Sequence, residues 1–132
     1  KDNGITNCHF IAGDVLKVLE ESAKREEAKE EKLQKEDQHG EENLETNVLP
    51  HPDFIIVDPP RDGMHKKALE LIIRYGVKRL IYVACKPKSL ARDLEALQNA
   101  GYRVRKLCAV DLFPRTNNCE VVCLLKKDFA LA

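Results

Sequence analysis

The sequence predicts an α/β fold, an open and mostly parallel sheet wrapped by helices, and three observations carry that prediction. Residues 54–57 (FIIV) and 80–84 (LIYVA) are unbroken apolar runs, the form a strand takes when both its faces are covered. A segment with apolar residues at helical spacing follows each run. A glycine, Gly76 or Gly101, stops each of those segments. Strand and helix therefore alternate, as they do when parallel strands are joined by helical crossovers.

In chain order, Asn3 and Gly4 have the form of a helix C-terminal stop. The stretch CHFIAGD predicts a short strand over about residues 8–12, ended by Gly13 and Asp14. Asp14 is placed to cap a helix whose apolar positions are Val15, Leu16, Val18 and Leu19. The apolar stripe then fades into a low-complexity charged insertion at about residues 20–47. Its first half extends the helix as a solvated arm, supported by pairs such as Glu20 with Lys24 and Glu31 with Lys35. Its second half, around Gly40, is expected to be mobile, because its apolar content is too low to offset the entropy of ordering. Pro59 and Pro60 end the strand at 54–57, and Ala68, Leu69, Ile72 and Ile73 mark one face of the next helix. Past the strand at 80–84, Ser89 is the expected cap of a helix bearing Leu90, Leu94 and Leu97. YRVRKLCAVDLF and CEVVCLLKK close the chain as two further strands.

A chain of 132 residues is enough for one domain with a modest core. It contains no run of membrane-spanning length and no visible signal peptide. Its five cysteines, Cys8, Cys85, Cys108, Cys119 and Cys123, are odd in number and include no C-x-x-C pair. That argues against a disulfide framework or a metal site and for a reducing, cytoplasmic setting. The net charge of zero hides an asymmetry: residues 20–47 hold 11 acids and 5 bases, so the remainder is basic. A basic body beside an acidic insertion suits a polyanionic partner, although charged faces are usually just solvated.

Open parallel sheets bind ligands in the crevice at the C-terminal ends of their strands. Asp14, Asp58 and Cys85 all fall at strand exits, on one rim. Cys85 is either one more small core residue or a nucleophile held where a ligand would lie. Asp58, Pro59, Pro60 and Arg61 form a stiff lip with a carboxylate on one side and a guanidinium on the other, since two prolines fix its path and remove two N–H donors. Asp111, Phe113, Pro114 and Arg115 lead into a loop, and Glu120 begins an otherwise apolar last strand.

In order and spacing, IIVDPPRDG, YVACKPKSLARDL and VDLFPRTNNCEVV resemble the C-terminal signatures of the RNA uracil-5 methyltransferases. The resemblance runs from Phe54 to about Lys126, and CHFIAGD fits the preceding strand. It implies part of the Rossmann-like class I methyltransferase fold, with an antiparallel last strand. It further implies S-adenosyl-L-methionine as cofactor, rRNA or tRNA as substrate, and 5-methyluridine as product. By residue matching, Cys85 is the nucleophile that adds to C6 of uracil and Glu120 the base that removes the C5 proton. Asp58 falls on the cofactor and substrate side of the cleft, and Asp14 at another cofactor-contact position. Arg61, Lys86, Arg92 and Arg115, in or near the motif loops, are the expected RNA contacts. Two positions depart from the family pattern: Ala84-Cys85-Lys86-Pro87 stands where Ser-Cys-Asn-Pro is usual, and Asn118 where His is frequent. A helix N-terminus near Ser89 and the Lys86 ammonium are both placed to favour the thiolate.

An RNA cytosine-5 methyltransferase would carry a second cysteine where Arg61 follows Pro60, and an amino-group methyltransferase would not need Cys85. A non-catalytic α/β interaction module, with Cys85 as core, is the reading from a different class. The glycines stand at 4, 13, 40, 63, 76 and 101, and no G-x-G turn for the cofactor is among them. The expectation is therefore that residues 1–132 are the C-terminal portion of a methyltransferase catalytic domain. The isolated chain should accordingly not bind S-adenosylmethionine tightly. Titration calorimetry checks this, and micromolar binding by the isolated chain would contradict it.

Overall fold

The computed structural model describes residues 3–33 and 51–128. The second half of the charged insertion and the pair Glu31 with Lys35 lie outside the described residues. Among the described residues, three helices and four strands follow in the order α1 (Val15–Leu33), β1 (Phe54–Val57), α2 (Lys66–Tyr75), β2 (Arg79–Ala84), α3 (Pro87–Asn99), β3 (Tyr102–Val110) and β4 (Glu120–Lys127). The sheet order is β1-β2-β4-β3, so the last strand inserts between β2 and β3. β1 runs parallel to β2, whereas β4 is antiparallel to both its neighbours. The expected antiparallel last strand is therefore present.

Most element limits follow from local chemistry. Asp14 caps α1, its Oδ1 accepting from the Lys17 N–H at 3.1 Å. Gly76 ends α2 in the left-handed conformation, at φ 64°, that only glycine adopts without steric cost. α3 corrects the expected cap: its N-cap is Lys86, in extended geometry, and Pro87 takes the first helical position. Proline's fixed φ and missing N–H suit that position, so the helix starts before Ser89.

The strand expected at 8–12 is a second correction, since that segment has no regular structure. A strand this short needs a partner ladder. β2 and β4 are paired on both sides, and no described strand pairs with residues 8–12. Phe10 is accordingly 94% exposed, packed against nothing that would hold it.

One face of the sheet carries the core. Leu80, Tyr82 and Ala84 of β2 and Val121, Cys123 and Leu125 of β4 pack with Leu69 and Ile72 of α2 and Leu90 and Leu97 of α3. The alternate residues point to the other face, where Phe54, Ile56 and Val122 are exposed. Truncating a core-face residue should leave a cavity, so Leu80→Ala or Leu125→Ala should cost about 2–5 kcal/mol. Ile56→Ala should cost less than about 1 kcal/mol in the same urea titration of this chain, and equal losses on the two faces would contradict the assignment.

Candidate functional site

β1 and β2 are parallel, with Val57 opposite Tyr82, so Asp58 and Cys85 leave the sheet at the same end. β4 arrives from that end. The ladder between β2 and β4 ends with Ala84 opposite Val121, so Cys85, just past the end of β2, and Glu120, the first residue of β4, are the next residues outward on the two chains. On its other side Glu120 pairs with Val110. The thiol and the carboxylate are both half-buried, in keeping with a rim position rather than the core. Four of the expected residues thus cluster: Asp58, Cys85 and Glu120 at strand ends, with Lys86 directly after Cys85.

Side chains tie the three motif loops together around this rim. The Arg61 Nη2 donates to Asn118 Oδ1 at 2.8 Å, joining the proline lip to the loop before β4. The Lys86 ammonium lies 3.3 Å from Asp62, an exposed ion pair of small energetic weight that turns the lysine toward the lip. Lys86 and Asn118, the two departures from the usual pattern, therefore both hold the lip. The Ser89 Oγ lies 2.9 Å from the carbonyl oxygens of both Arg61 and Lys86. Its hydroxyl thus bridges the lip and the first turn of α3 instead of capping the helix.

The remaining expected residues have the following surroundings. Arg92 directs Nε and Nη2 at Asp93, and Nη2 also donates to the Asp62 carbonyl at 2.9 Å. The hydrogen bond to Asp93, and then the charge of that carboxylate, raise the Arg92 pKa above its ordinary value. Arg115 is exposed in the 111–119 loop, at a left-handed φ of 68°. Asp14 makes the contact of a helix cap. No group of three or more His, Cys, Asp or Glu arranged to hold a metal occurs among the described residues.

Sequence reasoning missed the support beneath the lip. Asp93, 2% exposed, accepts from the Tyr82 hydroxyl at 2.6 Å and from the Met64 N–H at 2.8 Å. Burial first, then the bond to Asp93, raises the Tyr82 pKa, so its hydroxyl remains a donor. A signal was present: Asp93 interrupts the apolar stripe of Leu90, Leu94 and Leu97, and a carboxylate on such a stripe needs partners. Gly63 sits on this support at φ 86°, and a Cβ there would come 2.4 Å from Arg92 Nη2 and 2.7 Å from Asp93 Oδ2.

With this geometry in hand, comparison with known proteins is decisive. A model of the tRNA (Uracil-5-)-methyltransferase family matches residues 26–128, more than half of the chain. The chain belongs to that family. An RNA methyltransferase of Caldanaerobacter subterraneus is 41% identical over 95% of this chain and 22% of its own length. One from Clostridium tetani is 38% identical over 97% of this chain and 23% of its own. The chain thus spans less than a quarter of the length of these relatives. Among solved structures, the Pyrococcus abyssi tRNA (uracil-54, C5)-methyltransferase in complex with S-adenosyl-L-homocysteine is 38% identical. It covers 55% of this chain and 18% of its own, with a TM-score of 0.51. The crystal structure of M1.HpyAVI, 19% identical with a TM-score of 0.50 over 89% of this chain and 54% of its own, shares the fold alone. The fold is the Rossmann-like one of the family, represented here by four strands of its sheet.

Gly63→Ala should destabilise the chain by about 1–3 kcal/mol, because it places a side chain at positive φ against a packed guanidinium and carboxylate. Urea titration measures this, and an unchanged midpoint would contradict the close seating of the lip.

Proposed function

We propose that this chain forms the C-terminal part of the catalytic domain of an RNA uracil-5 methyltransferase, working through a covalent adduct of Cys85. What supports the reading is that Cys85 and Glu120 flank the last registered pair of β2 and β4, Ala84 with Val121, at the end of the sheet where β1 and β2 exit. Family membership supports the reaction class. The Pyrococcus protein, which acts on transfer RNA, makes tRNA the favoured substrate over rRNA. The site of action is the cytoplasm, where thiols stay reduced.

The chemistry follows from uracil itself. C5 is a poor nucleophile until a thiolate adds to C6, which gives C5 the character of an enolate carbon. Cys85 makes that bond, and the N-terminus of α3 two residues on favours its ionised form. S-adenosylmethionine, when bound, would supply the electrophilic sulfonium methyl group that C5 takes up, its S–CH3 bond breaking to leave S-adenosylhomocysteine. Glu120, across the strand pair, takes the proton that C5 must lose. The electrons of the C5–H bond restore the C5–C6 double bond as the thiolate leaves, so one difficult substitution becomes two easier steps. The base must leave its stack to reach this rim, and phosphates need cationic partners there. Arg61, Lys86 and Arg115 lie on the motif loops for that purpose, and Arg92 offers the N–H groups not engaged with Asp93 and Asp62.

Asp58 is the residue best placed to meet the cofactor, an exposed carboxylate at the exit of β1. Asp14, with Oδ1 engaged in capping, is the second candidate. The glycines present form no turn able to cradle the cofactor. The rest of that site must be supplied by another part of the enzyme.

The two central residues should fail differently in the full-length enzyme. Cys85→Ala should give neither adduct nor product. Glu120→Gln should stall after methyl transfer and accumulate a methylated enzyme–RNA species, seen as a slow band on a denaturing gel with labelled RNA. Full turnover by Cys85→Ala would refute the scheme. Loss of activity in Glu120→Gln without an adduct would move the base to another residue.

A further inference from the structure

We propose that Asp93 is the positioning residue of the site, fixing the proline lip relative to Cys85; this rests on the reading of Cys85 as nucleophile. Three separate pieces of chain meet at its carboxylate. Oδ2 accepts from the Tyr82 hydroxyl, three residues before Cys85 on β2, and from the Met64 N–H, at the end of the lip. Oδ1 accepts from Arg92 Nε and Nη2, at 2.9 and 2.7 Å, and Arg92 in turn holds the Asp62 carbonyl.

The arrangement closes a loop around the nucleophile. Cys85 sits on the short connection between β2 and α3, and the bond from Tyr82 to Asp93 staples those two elements together. The bond from the Met64 N–H brings in the segment that carries Asp58 and Arg61. The Gly63 backbone lies so close to the carboxylate and guanidinium that no side chain fits between them. Asp93 lies beneath the rim, on the core side of β2 with Tyr82, and acts through the loops it holds. The site's own side chains are exposed or half-buried, whereas this carboxylate, like the Ser89 hydroxyl that bridges Arg61 and Lys86, is buried. Misplacement of a reacting group by about 1 Å costs on the order of a hundredfold in rate.

The test uses the full-length enzyme, S-adenosylmethionine and tRNA transcribed with 5-fluorouridine. The C5 fluorine cannot leave as a proton does, so each active site is trapped as one adduct. The amplitude of trapping counts folded sites, and the rate at saturating RNA reports their alignment. Asp93→Asn should lower the rate by about ten- to a hundredfold while leaving the amplitude near that of the wild type. Tyr82→Phe, which removes one hydroxyl and keeps the core filled, should lower the rate severalfold and serves as the reading if Asp93→Asn does not fold. A lowered amplitude with an unchanged rate would show a merely structural role and overturn the proposal, as would a wild-type rate and amplitude. Trapping by Cys85→Ala would instead overturn the reading of Cys85.

Discussion

Because β4 enters the sheet between β2 and β3 and runs antiparallel to both, the chain brings the beginning of its last strand back to the end of β2. The approach of Glu120 to Cys85 depends on that pairing. In a fully parallel sheet the start of the last strand would lie at the far end, away from Cys85. With Ala84 opposite Val121, the next positions outward are a thiol and a carboxylate on neighbouring strands. A slip of one residue would turn the side chains of β4 to the other face. The core guards against it, since Val121, Cys123 and Leu125 are all buried against α2 and α3. Packing on one face of the sheet thereby sets which residues meet at its end.

Register alone does not hold the loops that approach from β1. Those are secured by polar contacts of unequal weight. The ion pair between Lys86 and Asp62 is solvent-exposed and adds little. The bonds to Asp93 are made to a carboxylate almost wholly withdrawn from water, where a hydrogen bond to a charged group is worth about 1.5–3 kcal/mol. A buried charge with one partner missing would be costly, so the surrounding donors act as a unit. The rim thus has an adaptable surface, formed by Arg61, Lys86 and Asn118, over a rigid base formed by Tyr82, Asp93 and Gly63.

The parts of this design that were legible in the sequence are those governed by local rules. β1 is the apolar run FIIV, residue for residue, and Gly76 stops α2 where its conformational freedom predicts. The grouping of Asp58 with Cys85 at one end of the sheet followed from strand direction alone. The strand expected at 8–12 did not form because pairing is a long-range property, and a short apolar stretch cannot supply a partner. Ser89 was misplaced as a cap because its own preference for that role competed with the stronger geometric claim of Pro87 to the first helical position. Asp93 went unnoticed for a related reason. Its place on the apolar stripe of α3 signals a need for partners, but only the fold identifies them as the Tyr82 hydroxyl and the Met64 N–H.

Whether Cys85 meets Glu120, one step beyond the last registered pair of β2 and β4, is open to a direct chemical measurement. Residues directly opposite in an antiparallel pair have Cα atoms about 4.5–5.5 Å apart, which lies within the span of a disulfide. Glu120→Cys should therefore form a disulfide with Cys85 under mild oxidation, identified by mass spectrometry of the linked peptides. Cys119, one residue before β4, is an internal control, because its thiol is directed at the Val110 and Glu120 carbonyl oxygens. The account predicts a link between residues 85 and 120, with Cys119 left free. A folded Glu120→Cys variant that links Cys85 to Cys119, or leaves Cys85 unlinked, would contradict it.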